Sequence, residues 1–170
     1  MITVSFSLDS LFSLVWQRTV YLSDTIDQNP VKPDVVPING NNRDIFNTFC
    51  KDAANRVWSK LAKYATEDSS VIDTFILNFS ATGSDDEYPN QLVYILDEPD
   101  NWIAGRNTAM LTNAIQDAIV SYVVYRWMLM KGLGQEHGTQ AENASFIENL
   151  SGIDRAMTYG ARPKTKYRTF

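Results

Sequence analysis

The chain has 170 residues, 44% of them hydrophobic and 21% charged, with a formal net charge of −5 at pH 7. That length suits a single core burying about 70% of the surface the unfolded chain exposes, and no stretch approaches the roughly 18 to 20 uninterrupted apolar residues of a membrane span, so membrane insertion is not expected. With one cysteine and one histidine, no Ser-His-Asp triad, Cys-His pair or zinc set is supported, which argues against the common hydrolases and metalloenzymes.

Met1 to Leu14 has no basic n-region and no small-residue cleavage site, so a secretory signal is not expected. Ile2, Val4 and Phe6 alternate as in a short strand or arm. Ser7 or Asp9 can cap a helix in which Leu8, Leu11, Phe12, Val15 and Thr19 share a face, ending near Val20. Ser23 to Asn42 carries Pro30, Pro33, Pro37 and Asn39-Gly40 with few apolar residues, the composition of an irregular connection and a candidate contact arm. A second helix is expected over 42–65, with Ile45, Phe49, Ala53, Val57, Leu61 and Tyr64 on its buried face. Cys50 falls in the same apolar pattern and reads as a small buried hydrophobe.

Val71 to Phe79 and Gln91 to Leu96 read as two strands of a hairpin joined by a long polar turn. The longest helix is expected from Asn107 or Thr108 to a stop at Gly132. From Val120 to Met130 it is apolar nearly all round, so more than one face needs cover and an oligomer is expected to supply part of it. His137 is placed in the following turn. A last helix over 139–159 has Ala141, Ala144, Phe146, Ile147, Leu150, Ile153 and Met157 as its apolar positions. The fold class is therefore mainly α: a helical bundle with an inserted β-hairpin at about 71–96, an extended loop near the N-terminus, one domain over 1–160 and a basic tail over 161–170.

Charge is segregated. Between Lys63 and Arg106 there is no Lys, Arg or His, while Glu67, Asp68, Asp73, Asp85, Asp86, Glu87, Asp97, Glu98 and Asp100 are all acidic. The tail reverses this with Arg162, Lys164, Lys166 and Arg168, unopposed by acid and interleaved with Pro163, Tyr167 and Phe170. A solvated hairpin and a frayed terminus would account for both blocks. In a ring of identical subunits, the same split provides a head-to-tail contact between an acidic face and a basic arm. Interface candidates are accordingly Asp85, Asp86, Glu87, Asp97 and Glu98 on one side and Arg162, Lys164, Lys166, Tyr167, Arg168 and Phe170 on the other. Non-specific proximity to DNA is compatible with the tail, since Lys and Arg neutralise phosphates and Tyr stacks on bases.

Other constellations are weaker. Asp97, Glu98 and Asp100 group carboxylates as a cation site or an acid/base pair would, but match no EF-hand spacing, and Pro99 marks a strand exit. Gly132, Gly134 and Gly138 miss the spacing of a dinucleotide fingerprint and follow a helix. Sequons at Asn78, Asn143 and Asn149 lack a secretory context. Trp58, Trp102, Trp127, Tyr122 and Tyr125 read as core or interface anchors rather than as a ligand pocket. No cofactor is expected.

Four stretches share a pattern with known proteins: Asn55-Arg56-Val57-Trp58-Ser59-Lys60-Leu61; Leu92-Val93-Tyr94-Ile95-Leu96 followed by Pro99-Asp100-Asn101-Trp102; Ala118 to Trp127; and the helix from Ala141 to Met157. Over residues 42–157, their order and their hydrophobic and aromatic pattern resemble the small head-to-tail connector (adaptor) proteins of tailed bacteriophages, particularly those of Bacteroidales prophages and crAss-like phages. Segments 23–41 and 161–170 have no counterpart in that pattern. The resemblance implies a virion protein assembled in the host cytoplasm. It would be a subunit of a ring, commonly twelve-fold, seated beneath the portal protein and bridging it to the tail around a channel for DNA. A tail completion or tail terminator subunit is the neighbouring alternative. A small carboxylate- and metal-dependent enzyme using Asp97, Glu98 and Asp100 is the alternative from another class.

Overall fold

Ile2, Val4 and Phe6 alternate with Thr3, Ser5 and Ser7, and this period of two forms a strand, β1 (Ile2–Ser7), that buries the apolar set and exposes the hydroxyl set. The computed structural model describes residues 1–27, 36–80, 85–100 and 102–158. After β1 come α1 (Leu8–Asp27), α2 (Arg43–Leu61), β2 (Phe75–Asn78), β3 (Gln91–Leu96), α3 (Ala104–Met130) and α4 (His137–Thr158). The fold is mainly helical with a small antiparallel sheet, as expected.

The hairpin forms, with β2 antiparallel to β3, but its first strand is shorter than the apolar run. Val71 is held in a turn, its N–H donating to the Asp68 carbonyl at 3.0 Å. The Asp68 carboxylate accepts from the Ser70 N–H at 2.9 Å and the Ser70 hydroxyl at 2.8 Å. β1 joins as a third strand on the other side of β3, giving the order β1-β3-β2. Leu92 to Leu96 are then buried on both faces, which is why that strand is apolar without alternation. Val4, Tyr94 and Phe75 form one row on the inner face, and Ser5, Val93 and Ile76 one row on the outer.

Tyr94 couples this sheet to the helices. Its ring stacks on Phe75 at 5.4 Å and on Trp58 of α2 at 6.2 Å, and Trp58 stacks on Phe75 at 5.4 Å. Its hydroxyl, fully buried, donates to the Ala54 carbonyl at 3.1 Å. From there one continuous apolar core runs from the sheet's inner face through all four helices.

The helices depart from expectation in instructive ways. α1 continues past Val20 to Asp27, and within that extension the Ser23 and Thr25 hydroxyls donate back to the carbonyls of Val20 (2.8 Å) and Tyr21 (2.9 Å). Of the expected irregular connection, residues 28–35 lie outside the described part. Its end packs on the chain itself: Ile38 is fully buried, its N–H donating to Thr19 Oγ1 at 3.2 Å, and the Val36 carbonyl accepts from Trp127 Nε1 at 3.3 Å. The described part is therefore not a free contact arm.

On α2 the buried positions are Phe46, Cys50, Ala53, Ala54, Val57 and Leu61, so the core face is rotated from the expected stripe and Ile45 and Phe49 are left partly exposed. α3 starts at Ala104, before the expected start at Asn107 or Thr108, and Asn107 is buried with its side-chain amide donating to the Ala156 carbonyl of α4 at 3.2 Å. It ends as expected at Gly132 (φ 74°), where the Leu133 N–H reaches the Met128 carbonyl at 2.9 Å and the Gly132 N–H reaches that of Leu129 at 3.0 Å. The chain itself buries Val120 to Val124, Trp127 and Met128, which corrects the expectation that another subunit is needed for them; Leu129 and Met130 alone at that end stay exposed. α4 begins at His137, and Ala141, Ala144 and Ile147, expected on its apolar face, point outward.

Asp9 pins the start of α1 instead of capping it. Its carboxylate accepts from Arg43 at 2.5 Å and from the Asn90 side chain at 2.7 Å, and the Arg43 guanidinium lies 4.5 Å from the centre of the Phe12 ring. The Arg43 hydrogen bond holds the Asp9 carboxyl below its ordinary 3.8. A depressed carboxyl stabilises the fold above its unfolded value and stops doing so as the pH falls through its folded value. Asp9→Asn is expected to cost about 0.5–1 kcal/mol at neutral pH, the scale of an exposed charge pair. Urea midpoints should show that deficit shrinking below 3.8.

Candidate interaction surface

Three helices leave a cleft between them. Phe49 and Arg56 of α2 form one wall, Tyr122, Tyr125, Arg126, Leu129 and Met130 of α3 the floor, and Asn143, Phe146 and Ile147 of α4 the other wall. The open volume is about 890 Å³. It exists because the apolar width of α2 and α3 exceeds what the core takes up. Leu129 is 41% exposed, Met130 46% and Ile147 56%, which makes a contiguous apolar rim rather than scattered single residues.

Inside the cleft, i,i+4 pairs on two helices meet. Asp52 and Arg56 are one turn apart on α2, Tyr122 and Arg126 one turn apart on α3. Asp52 accepts from the Tyr122 hydroxyl, from Arg126 at 2.9 Å and from Arg56 at 3.3 Å. The guanidinium of Arg56 lies 5.0 Å from the Tyr122 ring centre and that of Arg126 lies 5.2 Å from that of Phe49, so each cation also rests on an aromatic face. Burial, then the bond to Asp52, pushes the Tyr122 hydroxyl above its ordinary 10.0, and the Tyr122 bond raises Arg126. Two guanidinium groups thus share one carboxylate, and the cleft keeps excess positive charge.

The acidic residues gather elsewhere. Asp85, Asp86 and Glu87 are exposed on the connection entering β3. Glu87 and Tyr88 fold over the sheet's outer face, where with Asp73, Thr3, Ile76 and Ile95 they wall a pocket of about 350 Å³. Met1 lines that pocket too, and its ammonium pairs with Glu98 at 3.3 Å. Asp97 accepts from the Thr66 hydroxyl at 2.7 Å and the Glu67 N–H at 3.3 Å, fastening the strand end after the 3₁₀ turn Ala62–Tyr64. Among the described residues no group of three His, Cys, Asp or Glu side chains is placed to hold a metal ion, and no helix is long and apolar enough to cross a membrane. Arg162, Lys164, Lys166, Tyr167, Arg168 and Phe170 lie outside the described residues. Cys50 is fully buried and its thiol is pushed up to about 12 by desolvation.

Sequence reasoning took Phe49 for core and passed over Asp52 and its pairing with Arg56 and Arg126. The available signal was the coincidence of an Asp-Arg and a Tyr-Arg pair at i,i+4 spacing on two helices that each carried surplus apolar residues. Comparison with family models, curated proteins and solved structures finds no match to this chain.

Asp52→Ala would leave two guanidinium groups facing each other and the Tyr122 hydroxyl without its acceptor. A loss of about 1–2 kcal/mol is expected by denaturant titration. Glu142 gives a second test. On α4 it is only 6% exposed and accepts from Arg18 Nε of α1 at 2.8 Å. Burial raises its carboxyl above the ordinary 4.5, against the opposing pull of Arg18. The folded chain therefore holds this proton more tightly than the unfolded one, so the stabilisation is complete below 4.5 and is lost as pH rises through the folded value. Unfolding midpoints of the wild type should fall behind those of Glu142→Gln as the pH rises above 4.5, and parallel profiles would count against this reading.

Proposed function

We propose that this chain is a non-enzymatic structural subunit of a virion, forming a homo-oligomeric ring that joins the portal protein to the tail and surrounds the path of the DNA. The observation that carries the reading is the cleft. A chain that closes its own core around Tyr94 and Trp127 nevertheless leaves open a cleft of about 890 Å³ with apolar and arginine side chains along it. Two of the stretches that resemble phage connectors, Asn55 to Leu61 and Ala118 to Trp127, contain Arg56, Tyr122, Tyr125 and Arg126 of that cleft. The split between an acidic sheet face and a basic tail gives the directional contact a ring requires. In this reading the tail 161–170 docks on a neighbouring subunit.

Negative-stain imaging of the purified chain, alone and mixed with a portal protein from the same genome, tests the proposal. Closed rings or a portal complex are expected. A chain that stays monomeric in both preparations would sink it.

A further inference from the structure

We infer that the arginine cleft of one copy receives the acidic connection Asp85–Glu87 of a second copy. The inference deepens the proposed ring and rests on it. The cleft lining contains Arg56 and Arg126 and no acidic residue, and the one carboxylate behind it, Asp52, is already shared among three donors. Guanidinium groups retain forked N–H pairs in that arrangement, the geometry that takes a carboxylate in two parallel hydrogen bonds. Asp85, Asp86 and Glu87 are exposed and stand in a stretch without Lys, Arg or His from Tyr64 to Gly105.

A second copy is favoured over the chain's own loop by placement. The acidic connection folds across the outer face of the sheet, while the cleft is built from α2, α3 and α4 on the helical side. Cleft and connection are different surfaces of the subunit, so their pairing is heterologous and repeats from copy to copy until a ring closes. Protein is favoured over nucleic acid because the rim is aliphatic and the chain carries a net −5, which opposes a phosphate backbone.

Charge exchange tests the contact. Arg56→Glu with Arg126→Glu places acid against acid, and Asp85→Lys with Asp86→Lys and Glu87→Lys places base against base. Each variant alone is expected to lose assembly by light scattering. An equimolar mixture restores opposite charges at every contact and is expected to recover the wild-type mass. Because the arginine exchange also disturbs Asp52, Ile147→Asp provides a variant at an exposed position; it should weaken assembly at least tenfold while thermal unfolding stays that of the wild type. Chains carrying Ile147→Cys mixed with chains carrying Asp86→Cys should form a disulfide between copies on oxidation, without competition from buried Cys50. Variants that assemble like the wild type, or a mixture that recovers nothing, refute the cleft contact and leave the ring standing. A wild type monomeric even with the portal protein refutes both. A cleft that instead retains single-stranded DNA, and loses it on the arginine exchange, overturns the second-copy assignment.

Discussion

The stack of Trp58, Phe75 and Tyr94 is the joint on which sheet and helices depend. Three rings from three elements lie nearly parallel, with interplanar angles of 11°, 12° and 17°, and the Tyr94 hydroxyl closes on a carbonyl of α2. Each such aromatic pair contributes about 0.5–1.5 kcal/mol beyond its buried area. The hydrogen bond fixes how far along the strand α2 can sit, because a slip by one residue would turn Tyr94 to the other face and bury its hydroxyl without a partner. With α2 placed, Leu61 and Tyr64 follow, and the Tyr64 carbonyl takes the Asp97 N–H at 2.8 Å to fasten the strand's end.

Much of this was legible in the sequence because it depends on period and punctuation. The hairpin, the long central helix, its glycine stop and the buried Cys50 follow from local pattern, and the first strand follows from three alternating residues. What escaped depends on tertiary choice. Nothing in the spacing of Ile45, Phe46, Phe49 and Cys50 says which pair faces the core, since both lie one turn apart; the decision is made by the Phe12 ring, which meets Phe46 edge-on at 5.3 Å. Likewise α3 looked too apolar for one chain to cover, because covering it depends on α1, the Ile38 segment and α4 arriving from distant parts of the sequence. The cleft was invisible for the same reason: its walls come from three helices, and each wall taken alone reads as an ordinary core stripe or a solvated pair.

Charge follows a simpler logic. Asp73 and Glu87 wall the pocket on the outer face of the sheet, while Arg56 and Arg126 line the cleft on the helices.

The strand order has a consequence in time. β1 comes before the other described elements in the chain, yet its neighbour in the sheet is the central strand, and Met1 meets Glu98 across a sequence separation of 97. At a synthesis rate of about 5–20 residues per second, β1 waits roughly 5 to 20 seconds for the strand it pairs with. The β2–β3 hairpin, whose strands are neighbours in the chain, is the template that finally receives it. Until then Ile2, Val4 and Phe6 form an unpaired apolar edge on the nascent chain, which a chaperone or another copy can reach before the chain's own sheet does.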